Sequence, residues 1–174
     1  MTDNWYMLTL IGEDKPGIVA AISRSLFDLG LNLGETSMLR LGGNFTVMMM
    51  VSGGHQEAVL REMLTPVIEA QGMCLHIDPI RARLHEHLLP NIQVTVTGAD
   101  RAGIVAQVTE ALAAAGFNIL DLESDVVGSA DEPVYIMQIS GIADVPLESI
   151  ERAVQPLRED GVDVNVNAIE TYIG

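Results

Sequence analysis

The sequence predicts an α+β protein of two tandem βαββαβ units, each a four-stranded antiparallel sheet with two helices on one face. Three observations carry that prediction. The element GEDKPGIVA at Gly12–Ala20 returns as GADRAGIVA at Gly98–Ala106. Around each copy, the spacing of apolar residues switches between two and three-to-four in the same order. Aromatic residues make up only 4% of the 174 residues, so each core must be assembled from Val, Ile, Leu, Met and Ala.

An offset of 86 residues (98 − 12) places Gly12, Asp14, Lys15, Gly17, Ile18, Val19 and Ala20 on Gly98, Asp100, Arg101, Gly103, Ile104, Val105 and Ala106. The same offset places Leu26, Gly30 and Asn32 on Leu112, Gly116 and Asn118. It then drifts by two or three, as loops of unequal length would cause. So many matches in one register mark a duplication. The expected organisation is one unit over residues 1–83, a linker over 84–90 and a second unit over 91–174. A unit of about 80 residues has a core of limited stability. Pairing of the two units, and of two chains in a homodimer, is the expected remedy.

The elements follow in order. Tyr6, Leu8 and Leu10 alternate with polar neighbours, as do Ile92, Val94 and Val96, so each unit opens with a strand that has one buried face. Ile18, Ile22, Leu26 and Leu29 then recur at helical spacing, as do Ile104, Val108, Leu112 and Ala115. Gly30 and Gly116 follow directly, where a helix end favours a residue free to take positive φ. Second strands are expected over 31–41 and 118–127, and third strands over 45–51 and 134–139. Gly42-Gly43-Asn44 and Gly128–Pro133 supply the turns between them. The run Met48-Met49-Met50 reads as a third strand buried on both faces. A second helix carries Val59, Leu60, Met63, Leu64, Val67 and Ile68, or Leu147, Ile150, Val154 and Leu157. Met73, Leu75 and Ile77, or Val162, Val164 and Val166, close each unit with a strand. This order is the ferredoxin-like plan.

The repeated element sits where the first strand hands over to the first helix. Pro16 suits a first helical turn, where its missing N–H costs nothing. Lys15, before it, is pushed toward extended geometry. The Asp14 carboxylate can accept from orphan N–H groups nearby. Gly17 allows a ligand to approach the backbone. The N–H groups of Gly17, Ile18 and Val19 carry the positive end of the helix dipole, which suits a carboxylate. Asp100, Arg101, Ala102, Gly103, Ile104 and Val105 repeat the arrangement, with Ala102 in place of the proline. A capped helix start is also ordinary architecture, and a duplication copies a cap as readily as a site.

Composition excludes other roles. Nine Lys and Arg against 24 Asp and Glu give a net charge of −15, which repels phosphate backbones. Direct nucleic-acid binding is not expected, so any role in gene control would pass through another protein. The single cysteine, Cys74, excludes an internal disulfide and CxxC zinc sites. His85-Glu86-His87 has no third metal ligand at a recognisable spacing and reads as solvated linker. No secretory leader or membrane span is read, so a cytoplasmic protein without metal or cofactor is expected. No phosphate-binding GxxxxGK[ST], HExxH or GxSxG sequence occurs.

The βαββαβ order, D-[KR]-x-G-I-V-A after the first strand and G-[LF]-N-[IL] after the first helix resemble the ACT domain family over nearly the whole chain. ACT domains are regulatory modules that bind small molecules, usually amino acids, where two such domains meet. The resemblance implies a ligand between Asp14 of one domain and Asn32 of its partner, or between Asp100 and Asn118. The Asp would accept from the ligand ammonium, the helix N–H groups would hold its carboxylate, and the Asn could bridge either. Serine-sensing members carry Asn in place of the Asp and a His two residues earlier, where Gly12 and Gly98 stand here. Gly12 and Gly98 leave room instead, which suits a small zwitterion, and the resemblance favours glycine. Tandem pairs without a catalytic domain imply a non-enzyme that acts on a DNA-binding transcription activator protein. The alternative is a protein-interaction adaptor whose ligand sites are vestigial. An enzyme of the deformylase type, which begins with an ACT-like segment, would need a further catalytic domain.

Overall fold

Alternation in Tyr6, Leu8 and Leu10 builds the first strand of a computed structural model that describes residues 4–81, 88–99, 103–129 and 133–169. The chain divides into two compact units, Met1–Glu86 and His87–Gly174. The first contains β1 (Asn4–Glu13), α1 (Ile18–Asp28), β2 (Asn32–Leu41), β3 (Asn44–Gly53), α2 (Glu57–Ala70) and β4 (Met73–Ile80). The second contains β5 (Ile92–Ala99), α3 (Ile104–Ala114), β6 (Asn118–Gly128), β7 (Pro133–Ile142), α4 (Leu147–Glu159) and β8 (Asp163–Ala168). The sheets run β2-β3-β1-β4 and β6-β7-β5-β8, with every pair antiparallel. These are two ferredoxin-like units.

Each core lies between one sheet face and its two helices. In the first unit Leu8, Leu10, Val47 and Met49 meet Ile18, Ile22, Leu26, Leu60, Leu64 and Ile68. In the second, Val94, Val96, Met137 and Ile139 meet Ile104, Val108, Leu112, Ile150 and Val154. All of these residues are at most 2% exposed, and each contributes about 1.5–3 kcal/mol of burial. The second helix is less apolar than its spacing implied. Val59 and Met63 stand on its exposed side.

The helix ends explain the glycines. Leu31 N–H donates to the Leu26 carbonyl and Gly30 N–H to that of Phe27, a Schellman motif made possible by Gly30 at φ 66°. Phe117, Gly116, Leu112 and Ala113 repeat it with Gly116 at φ 81°. Leu41 pairs with Asn44 across Gly42-Gly43, both at positive φ, the two-residue turn that suits strand twist. The second hairpin is four residues longer. Leu8 pairs with Met49, but Val94 pairs with Ile139, so the third strands are offset by 90 residues (139 − 49) rather than by 88 or 89.

The open sheet faces have diverged. Cross-strand partners share a face, so Leu39, Thr46 and Ile11 form one row on the first open face, and Ser37, Met48 and Thr9 the next. Met48 is 43% exposed. The expectation that Met48-Met49-Met50 is buried on both faces is therefore corrected. Only Met49, on the helix side, belongs to the core, because the open face has no helix above it. The second open face carries Glu123 opposite Gln138, Asp125 opposite Ile136 and Asp163 opposite Thr97. Carboxylates thus stand on the second open face at rows where the first carries none.

Candidate ligand site at the strand-to-helix loops

The loop Asp14–Gly17 leads from β1 into α1, and its geometry turns on one glycine. Gly17 is the N-cap of α1 at φ 91°, ψ −6°, and Gly103 is the N-cap of α3 at φ 90°, ψ −4°. A Pro-Gly pair with the glycine in this conformation matches the centre of a type II turn. Gly17 is therefore required by handedness, and the expectation that it serves only close approach is widened. Pro16 lies before the N-cap, not in the first helical turn. The turn and the glycine precede the helix, which starts at Ile18.

None of the four N-cap residues makes a side-chain cap bond, and α1 and α3 have no acidic residue in the first turn. By contrast, α2 and α4 carry Glu57 and Glu148 there. The first amides of α1 and α3 thus keep their capacity to donate to an anion. The side chains of Ile18 and Ile104 are each 2% exposed and belong to the cores, so only their backbone can face a ligand. Val19 and Val105 lie on the surface beside them.

Asp14 does not cap the helix, which corrects the expectation that its carboxylate accepts from the orphan amides. It is ion-paired instead with Arg40 of β2, Oδ2 to Nε at 2.9 Å. Arg40 was not singled out in the sequence. It lies 26 residues downstream, and only the register of β2 on β3 on β1 returns it to this loop. Lys15 turns away to Glu13, Nζ to Oε2 at 3.1 Å.

Gly12 does not leave room for a ligand. A Cβ on it would stand 2.8 Å from the Gly72 carbonyl oxygen and 2.8 Å from Met73 Cγ, so the fold itself fills the space. Gly98 differs, with Ile104 Cδ1 at 3.8 Å and Val162 Cγ1 at 3.9 Å as its nearest neighbours.

Asn32 and Asn118 are exposed first residues of the edge strands β2 and β6. Each precedes a register slip in its strand, a local bulge. Asp14 lies before α1 and Asn32 after it. Eleven helical residues separate these ends by about 16 Å. One unit therefore does not bring the two together. Gly103 and Asn118 are divided by α3 in the same way. Asp100, Arg101 and Ala102 lie outside the described residues, as do His85, Glu86 and His87.

Among the described residues no group of three His, Cys, Asp or Glu side chains is placed to hold a metal ion. Cys74 and His76 lie on the exposed side of β4. A depression of about 800 Å³ along α2 is lined by Gln56, Arg61, Glu62 and Thr65, and none of the predicted site residues borders it. No described helix is long and apolar enough to cross a membrane.

Comparison with known proteins gives a family and a fold. The model of the ACT domain matches residues 6–78 and 91–167. The glycine cleavage system transcriptional repressor of Escherichia coli (strain K12) is 26% identical over 161 residues, 90% of this chain and 85% of that protein. The crystal structure of an unknown protein from Galdieria sulphuraria superposes with a TM-score of 0.74 at 24% identity, covering 97% of this chain and all of that one. A candidate glycine cleavage system transcriptional repressor of known structure superposes at 0.71 with 19% identity, over 98% of this chain and all of its own. Both structures share the two-unit fold.

Proposed function

The chain belongs to the ACT domain family through both of its units, and on that premise we propose that it is a non-catalytic regulator responding to a small amino acid. Glycine is the favoured ligand, and the output passes through a DNA-binding transcription activator protein. The observation that carries this reading is the pair of helix N-termini with no acidic residue in the first turn, each entered through a left-handed glycine at nearly the same angles. A duplicated fold can inherit a cap. Here it has kept two helix starts free of first-turn carboxylates, while α2 and α4 bear Glu57 and Glu148 there.

A zwitterion fits these loops chemically. Its carboxylate would take the first amides of α1 or α3, and its ammonium would take Asp14 or Asp100. Because α1 separates Asp14 from Asn32, the Asn contact must come from a second ACT domain. A homodimer meets that need. The net charge of −15 favours action on a protein over action on DNA. Likeness to the Escherichia coli repressor over 90% of the chain supports a regulatory role.

A thermal-shift screen of the twenty amino acids, followed by calorimetry, tests the proposal. Glycine is expected to bind in the micromolar to millimolar range, about −4 to −8 kcal/mol. Asp14→Ala and Asp100→Ala are each expected to lose about 1.5–3 kcal/mol at their own site. Binding that neither substitution weakens places the site elsewhere. If no amino acid binds at millimolar concentration, the chain is an interaction adaptor with vestigial sites.

A further inference from the structure

We propose that Arg40 is a resident competitor for Asp14, which weakens amino-acid binding at the first strand-to-helix loop. The inference rests on the amino-acid-site reading above and deepens it. The carboxylate that would receive the ligand ammonium already holds a cation, with Arg40 Nε 2.9 Å from Asp14 Oδ2. The neighbouring Lys15 does not share this role, because it is engaged with Glu13. Asp14 keeps 32% side-chain exposure and Arg40 73%, so the guanidinium lies on the outer, solvent side of the pair, where an incoming ligand can displace it.

In the second unit the strand position equivalent to Arg40 is uncharged. Arg40 pairs with Phe45, and Phe45 pairs with Gly12. Val126 pairs with Tyr135, and Tyr135 with Gly98, so Val126 is the counterpart of Arg40. Valine carries no charge. An ammonium arriving at Asp14 must displace a guanidinium held by a charge-assisted contact.

The test is calorimetry of the full chain with glycine at low ionic strength, where an exposed pair is least screened. An Asp100→Ala background isolates the first site. There, Arg40→Val is expected to tighten glycine binding about two- to five-fold, the range an exposed ion pair covers. Arg40→Lys keeps a cation beside Asp14 and should stay close to the parent. In an Asp14→Ala background, Arg40→Val should change nothing, because the carboxylate it competes for is gone. Thermal denaturation of each variant checks that the fold is intact. Unchanged or weaker binding for Arg40→Val in the Asp100→Ala background overturns the inference alone, and weaker binding would make Arg40 a ligand contact. Absence of glycine binding in every variant overturns it together with the glycine-site reading.

Discussion

Gly12 on β1 faces the carbonyl oxygen of Gly72 across the entry to β4, so closely that a Cβ on Gly12 would stand 2.8 Å from that oxygen. The neighbour is backbone, so it cannot swing aside. Gly12→Ala is expected to destabilise the first unit by about 1–3 kcal/mol, the usual cost of overpacking. Gly98→Ala is expected to lie within about 0.5 kcal/mol of wild type, because its neighbours stand at ordinary contact distance. Urea denaturation of the two variants compares them. Equal effects would show that the two first strands are packed alike. A histidine at Gly12 is incompatible with this packing.

A Cβ on Gly17 would meet no atom within 4 Å, yet the φ of 91° there is costly for any L side chain. Gly17→Ala should therefore cost about 1–2 kcal/mol of stability through backbone strain alone. Asp14→Ala, which removes only an exposed ion pair, should cost less than about 1 kcal/mol. Chemical denaturation separates the two. A large loss for Asp14→Ala with none for Gly17→Ala would reverse this account of the loop.

Self-association is expected to involve the first unit's open face, where Ile11, Leu39, Leu41 and Met48 are 44%, 51%, 70% and 43% exposed. The second open face would bring Glu123, Asp125 and Asp163 against like charges. Sedimentation at micromolar concentration should show a dimer for the wild type and a monomer for Leu39→Glu/Met48→Glu. Neither residue is in the core, so melting of the substituted units should be little changed. A wild-type monomer, or a dimer unaffected by both glutamates, would contradict this placement.

Purified protein is expected to give no specific gel shift with DNA even at low salt, where electrostatic attraction is least screened. The motivation is the charge of −15, with nine basic residues along the chain. Four of those basic residues, Lys15, Arg24, Arg40 and Arg61, are already engaged with carboxylates. A salt-sensitive shift by the isolated protein would sink the idea.

The duplication, the βαββαβ order and most of the core were legible in the sequence by itself. Leu8, Leu10, Ile22, Leu26, Val94 and Val108 announce their burial because strand and helix periods are local and repeat every two or three-to-four residues. The glycines after the helices were legible for the same reason, since a Schellman end is settled within six residues. Only the tertiary structure decided the state of the site. It placed Arg40 on Asp14, closed the space beside Gly12 with Gly72 and Met73, and set Asp14 and Asn32 at opposite ends of α1. It also decided that Met48 faces outward while Met49 faces the core. Strand register and the hand of a turn bring together residues that are 26 or 60 positions apart in the chain, and no local period records which ones will meet.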